Sequence, residues 1–186
     1  MKITRKLLCI LLGATLSFSV IADRAKRPMH INKVKEIGLE IWTEYNPEWI
    51  TELVKFKGRS IFTAQTPSKT YPPTAMSWSS YPRMRIDKNE LEQVALTTFK
   101  TAGANYKVSQ KQLKSIEPVN VVYGDLTGYE TILSGKAHGD PVDIKIFVGQ
   151  KEGKGPVTMQ VYTLKGKLGH ISEHIRRSWT NIKYLN

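Results

Sequence analysis

The chain has 186 residues, 28 Lys and Arg against 16 Asp and Glu, a formal charge of +12, and one cysteine. A single cysteine excludes a disulfide framework and a thiolate metal site, and a length of this order supports one domain with a real hydrophobic core. The positive charge is spread over Lys33, Lys35, Lys55, Lys57, Lys88, Lys111, Lys114, Lys151, Lys154, Lys165 and Lys167. There is no long basic run and no RNA- or DNA-binding signature, so nucleic acid is set aside as a partner.

The first segment is not read as fold. Lys2, Arg5 and Lys6 precede an apolar run from Leu7 to Ile21, closed by Val20-Ile21-Ala22. That is the form of a secretory signal peptide, with cleavage expected after Ala22. The run is shorter than the ~20 residues a membrane span needs, and Gly13, Ser17 and Ser19 dilute it. Cys9 comes too early in the run to be a lipid-attachment cysteine. Removing residues 1–22 takes three positive charges and no negative one, which leaves 164 residues at +9 without cysteine. Export without cysteine fits a periplasm, where a sizeable core dispenses with staples. Residues 23–186 are then expected to form a single domain.

Residues 23–28 read as a loose basic lead, and His30 to Glu36 as a short helix or an extended entry. Ile37, Leu39 and Ile41 alternate with Gly38, Glu40 and Trp42, which predicts a strand. Asn46-Pro47 turns the chain. Trp49, Ile50, Leu53 and Val54 are too evenly mixed to assign, with a helical turn as one option. Ser60 to Gln65 is a strand candidate. Thr66 to Thr74 carries three prolines, leaving few amide donors for a sheet, so an exposed loop is expected. Ala75 to Ser80 suits a strand with Met76 and Trp78 on one side.

Asp87 and Glu90 have capping-box spacing, with aspartate in the usual serine's place. Leu91, Val94, Ala95, Thr98 and Ala102 then fall on one helical stripe with Phe99 at its edge, and Gly103 suits the left-handed residue past the helix end. Pro118 to Val122 predicts a strand. From Tyr129 onward the pattern is clearest. Tyr129, Thr131 and Leu133 alternate, then Val142, Ile144, Ile146 and Val148, then Val157, Met159 and Val161, with turn-like segments at 138–141 and 150–155. Ile171, Ile175, Trp179 and Ile182 follow at helical spacing. A one-sided sheet and an amphipathic helix cover each other. The fold class predicted is α+β, with a largely antiparallel sheet.

This element order resembles the PsbP/Mog-type sandwich family, which includes the extrinsic PsbP subunit of photosystem II, a nuclear-import factor that binds the Ran GTPase, and DcrB-type bacterial envelope proteins. The resemblance rests on the early strand leading to a Pro-x-Trp at residues 38–49, the mid-chain helix, the meander from Tyr129 to Leu164, and the last helix with Ile175 and Trp179. It implies an α-β-α sandwich in which helices flank the antiparallel sheet, and non-catalytic roles as a partner or assembly factor. The acidic partner-binding surface of the import factor has no counterpart in this sequence, so Ran-type binding is not implied.

Local motifs point less clearly to chemistry. His170-Ile-Ser-Glu-His174 has the inverted zinc-peptidase form. Two histidines four apart share a helix face and could hold Zn²⁺ with Glu173 as base. Residues 175–186 contain no Asp or Glu to serve as the third ligand, and an upstream ligand such as His138, Asp140 or Asp143 would be a departure from that pattern. The plainer reading is a wet helix face carrying His170, Glu173, His174 and Arg177. Ser134 lies in a predicted strand rather than at a strand-to-helix elbow. Gly124 to Gly128 lacks the lysine and helix of a phosphate cradle. Asp140 and Asp143 occupy adjacent hairpin positions rather than facing across a cleft.

Aromatic and arginine side chains dominate interface energetics. Trp42 falls opposite Ile37, Leu39 and Ile41; Tyr71 lies in the proline-rich loop; Tyr81 neighbours Arg83 and Arg85. These five residues, within or near a segment from Pro67 to Arg85, are the expected contact patch. The reading that follows is an exported, non-enzymatic adaptor for an envelope protein assembly, with no cofactor. The alternatives are a binder of an anionic membrane surface or wall polymer and, third, a zinc-dependent hydrolase built on His170, Glu173 and His174.

Overall fold

The computed structural model describes residues 28–185. The expected signal segment and its cleavage point lie outside the described residues. The first part of the chain forms β1 (Met29–Val34), β2 (Leu39–Glu44), β3 (Ile50–Phe56), β4 (Arg59–Gln65) and β5 (Thr74–Ser80). Two helices follow, α1 (Leu91–Asn105) and α2 (Gln110–Lys114). Then come β6 (Val119–Tyr123), β7 (Leu126–Ala137), β8 (Asp140–Gln150) and β9 (Val157–Leu164). A 3-10 turn (Leu168–Ile171) leads into α3 (Ser172–Thr180), and β10 (Lys183–Tyr184) comes last.

Seven strands make one antiparallel sheet in the order β3-β4-β5-β9-β8-β7-β6, and β1, β2 and β10 make a second sheet of three. The α+β class and the antiparallel pairing are as the sequence predicts, though strands dominate.

The large sheet is buried on both faces over its middle. On one face α1 and α2 press Leu91, Ala95, Phe99 and Leu113 onto Leu133, Val142, Ile144, Ile146 and Val148. On the other, α3 and the small sheet bring Leu39, Ile41, Ile175 and Trp179 against Met76, Trp78, Phe147, Met159 and Val161. The alternation in β8 marks which core each residue enters, because Phe147 on the supposedly wet side is fully buried as well. Lys145 shares that side and is held by Glu130 at 3.0 Å.

Several local expectations are corrected. The stretch at Trp49 to Val54 is no helical turn: β3 runs through it from Ile50, and the β-branched Ile50, Thr51 and Val54 suit a strand. His30 lies in β1, so the entry is extended, while Ile37 falls in the turn between β1 and β2. α1 starts at Leu91 with Glu90 as its N-cap and no side-chain cap bond, so Asp87 does not cap it. Phe99 is the centre of the buried stripe, since the sheet lies under the Leu91, Ala95, Phe99, Gly103 line. Gly103 is inside the helix, where a Cβ would stand 2.5 Å from Leu113 Cδ2. Its role is close approach of α1 to α2, and the left-handed residue is Lys107 at φ 54. Helix α2 is short but capped, with Ser109 accepting from the Gln112 amide.

Candidate functional site

α1 covers β7 and β8, and stops short of the other half of the sheet. The same face of β3, β4, β5 and β9 is left as a trough of about 570 Å³ beside the α1 C-terminus. Strand periodicity decides its lining. The antiparallel register sets Ile50 opposite Gln65, Glu52 opposite Thr63 and Val54 opposite Ile61. Ala75 then lies opposite Tyr162, and Ser77 opposite Gln160. The small side chains of β5 deepen the floor, while Ala102, Asn105 and Tyr106 of the α1 end form the wall. Ile50 and Phe56 are more than half exposed, at 56% and 59%. These two lie at the ends of β3, so apolar surface is exposed along its whole length.

Polar side chains share the lining, Glu52, Lys55, Gln65 and Asn105 among them, and one hydrogen-bonded group centres on Tyr106. The Tyr106 ring packs on Tyr162, 5.5 Å between centroids. Gln160 Nε2 donates to the Tyr106 hydroxyl at 2.6 Å. Burial pushes the Tyr106 phenol up to about 12, with Tyr162 adding to the shift and Gln160 opposing it. Tyr106 therefore stays a neutral O–H whose proton is available to an acceptor in the trough. An adjoining hollow of about 370 Å³ around Tyr106 and Tyr162 is lined by Lys107, Lys136 and His138. One end of the site is thus cationic and the rest mainly apolar.

The predicted contact patch does not assemble. Tyr71 and Tyr81 lie before and after β5, whose rise of about 3.3 Å per residue holds them on the order of 20 Å apart. Tyr71 is exposed with Lys167 Nζ 5.7 Å from its ring centre. Tyr81 is stacked by the Arg59 guanidinium at 4.8 Å. Arg83 is exposed next to it, and Arg85 donates to the Pro82 and Met84 carbonyls at 2.9 and 3.1 Å. Trp42 is half-buried in the small sheet, donating to Glu40 at 3.0 Å with Lys183 Nζ 5.9 Å from its ring. Only Tyr81, Arg83 and Arg85 share a neighbourhood.

The His-x-x-Glu-His segment is committed to other partners. His174 Nδ1 stands 2.9 Å from Oε1 of the buried Glu44, which also has Arg177 Nη1 at 3.4 Å. The His174 approach is a close contact rather than an aligned hydrogen bond. Glu173 receives two bonds from Arg176, at 2.8 and 2.6 Å, and these hold its carboxyl below the usual range. His170 is exposed in the 3-10 turn. Among the described residues no three His, Cys, Asp or Glu side chains gather as a metal ion requires.

Sequence reasoning overlooked the trough because its residues come from four strands and a helix end. The one available signal was the even spacing of Ile50, Val54 and Phe56, which Glu52 interrupts. It overlooked a second cleft as well, of about 400 Å³, between β7, β8 and α3. There the Tyr123 hydroxyl donates to Glu130 Oε2 at 2.7 Å, beside Lys145. Burial first, and then the Glu130 carboxylate, raises the Tyr123 phenol well above its ordinary value.

No family model matches the chain, and no curated protein matches it. Among solved structures it is similar to a protein from Bacteroides thetaiotaomicron VPI-5482, at a TM-score of 0.50 and 8% identity. That alignment covers 80% of this chain and 46% of the other, so the chain spans just under half of its length. At this identity the likeness concerns the fold alone.

Proposed function

We propose that the chain is an exported, non-enzymatic binding protein that serves an envelope assembly and presents the trough beside α1 to a protein partner. One observation carries the reading: half of one sheet face is left uncovered, and its lining sets Ile50, Val54, Phe56, Ile61 and Met76 beside polar groups that include Glu52, Lys55, Gln160 and two tyrosines. Ligand sites have this make-up, a mostly apolar lining with a few convergent polar groups. We read the helices on the two faces, with the small sheet sharing the face of α3, as a variant of the PsbP/Mog-type sandwich, and take the accessory roles from that reading. The N-terminal charge and apolar pattern supports a periplasmic location.

Photo-crosslinking tests the reading. A photoreactive residue replacing Val54 or Tyr162 is expected to trap the same envelope protein, while one at the exposed Val119 on the far edge traps none. Equal yields from all three positions, or no adduct from the trough, overturn it.

The second reading, attachment to an anionic surface, is favoured by Lys107, Lys136 and His138 at the trough's cationic end. Charge-driven attachment weakens steeply with salt. Retention on anionic vesicles that survives at 0.1 M salt (a Debye length of about 10 Å) and collapses near 1 M supports it. Absence of retention at low salt removes it.

A further inference from the structure

β3 is an end strand of the large sheet, and its outer amide and carbonyl groups face away from β4. Such an edge is a template for another strand, and proteins with no use for it blunt it with proline, a bulge or a covering segment. Among the described residues β3 has no proline, bulge or covering segment: it pairs with β4 in unbroken register from Ile50 to Phe56, and Glu52 and Lys55 are the charges that blunt it. Ile50, Leu53 and Phe56 are exposed along it, at 56%, 37% and 59%.

We propose that this edge pairs with the same edge of a second copy, antiparallel about a two-fold axis through Leu53. Closed two-fold dimers use one patch twice, so a residue on the axis meets itself. Antiparallel partners must also keep each side chain on the same face of the combined sheet. Only registers centred on a residue satisfy both conditions. Centred on Leu53, Ile50 faces Phe56 and Glu52 faces Val54 on the trough side. Thr51 faces Lys55, and Leu53 faces Leu53, on the other side. No like charges oppose each other, and all three exposed apolar side chains gain an apolar partner. Centred on Glu52, two carboxylates collide. Centred on Val54, Phe56 meets Glu52 and Lys55 meets Leu53. The composition of β3 therefore selects one self-complementary register, and cross-strand pairs are the unit of sheet stability.

The opposite edge, β6, is shorter, at five residues. α3 packs against it, with the Thr180 carbonyl crowding Gly124. The joined edge has a consequence for the trough. Because both copies keep the trough on the same face, two half-covered sheets become one floor of eight uncovered strands walled by two copies of α1. The inference rests on the trough as the binding surface and adds that two copies build it.

Sedimentation of the wild-type full chain in a Cys9→Ser background is expected to show a dimer at tens of micromolar. Leu53→Lys places two ammonium groups at the axis and is expected to give monomer. Leu53→Glu alone is expected to be monomeric as well, and an equimolar mixture of the two variants to restore the dimer. Leu53→Cys is expected to cross-link with itself on oxidation, whereas Thr51→Cys, about four residues out of register with its own copy, is not. A monomeric wild type, a dimer indifferent to Leu53→Lys, or self-linking at Thr51 and not Leu53 overturns the proposal. Monomers that still cross-link to a partner through Val54 overturn the dimer alone and leave the trough's role intact.

Discussion

Glu44 is 3% exposed, and its carboxylate faces His174 and Arg177 from α3. Removing one member of a buried ion pair costs about 3–5 kcal/mol. Glu44→Gln is therefore expected to lower unfolding free energy by about 3 kcal/mol in a denaturant titration. Glu173→Gln breaks an exposed pair and is expected to cost under about 1 kcal/mol. A reversed order would mean that α3 is not held through Glu44. Gly128 is the second residue-scale test. It faces Gly149 across β7 and β8, and a Cβ on it would stand 2.2 Å from the Val148 carbonyl oxygen. Backbone cannot give way as a side chain can. Gly128→Ala is expected to cost about 2 kcal/mol or more, within the range for overpacking, and thermal melting would register it. Neither effect was readable in the sequence. Glu44 is one of several Glu residues in a mixed stretch, and Gly128 read as punctuation because its neighbour across the sheet was unknown.

At the level of elements, legibility followed burial. β8, β9 and α3 were found by periodicity because each presses a full apolar line into a core, and Ile171, Ile175, Trp179 and Ile182 are all buried. β3 was missed because, with no core on either side of it, almost every position is exposed and no pattern is imposed. The start of α1 was misplaced because Asp87 and Glu90 satisfy a spacing rule that three turn residues before Leu91 do not use. α2 went unseen because five residues are too few for a period. Its cap is testable all the same. Ser109→Ala removes the bond to the Gln112 amide and is expected to cost about 1 kcal/mol, read as a lower denaturation midpoint with an unchanged slope. A neutral result would mean that Leu113 packing alone holds the helix. The five residues expected to share a patch are dispersed for a reason of the same kind. Residues close in sequence were placed together, and the straight run of β5 carried Tyr71 away from Tyr81.

Across the whole molecule, tyrosine titration offers a check on both cores and the hairpin between them. Burial raises the phenols of Tyr106 and Tyr184 to about 12, and raises Tyr123 further in the same direction. A phenol whose folded pKa is raised stays protonated longer than it does in the unfolded chain. The stabilisation it represents is fully present below the unfolded value near 10 and is lost as pH climbs toward 12. The protein is therefore expected to resist moderate alkali and then to unfold cooperatively between about pH 10 and 12. Absorbance near the phenolate band should rise together with the loss of far-ultraviolet ellipticity. A smooth tyrosine titration with no loss of ellipticity by pH 12 would mean that these hydroxyls are open to water. The general plan of this molecule was legible, since α+β class and antiparallel order follow from turn lengths and alternation. Which faces stay open was not, because that depends on the breadth of the sheet relative to its one long helix.

The pairing of β10 with β2, and the bond from the Leu185 amide to the Gly38 carbonyl, tie the end of folding to its beginning. The first hairpin to emerge from a ribosome has no lid until α3 and β10, far downstream, arrive to close it. Half of the interior therefore stays unmade while synthesis proceeds.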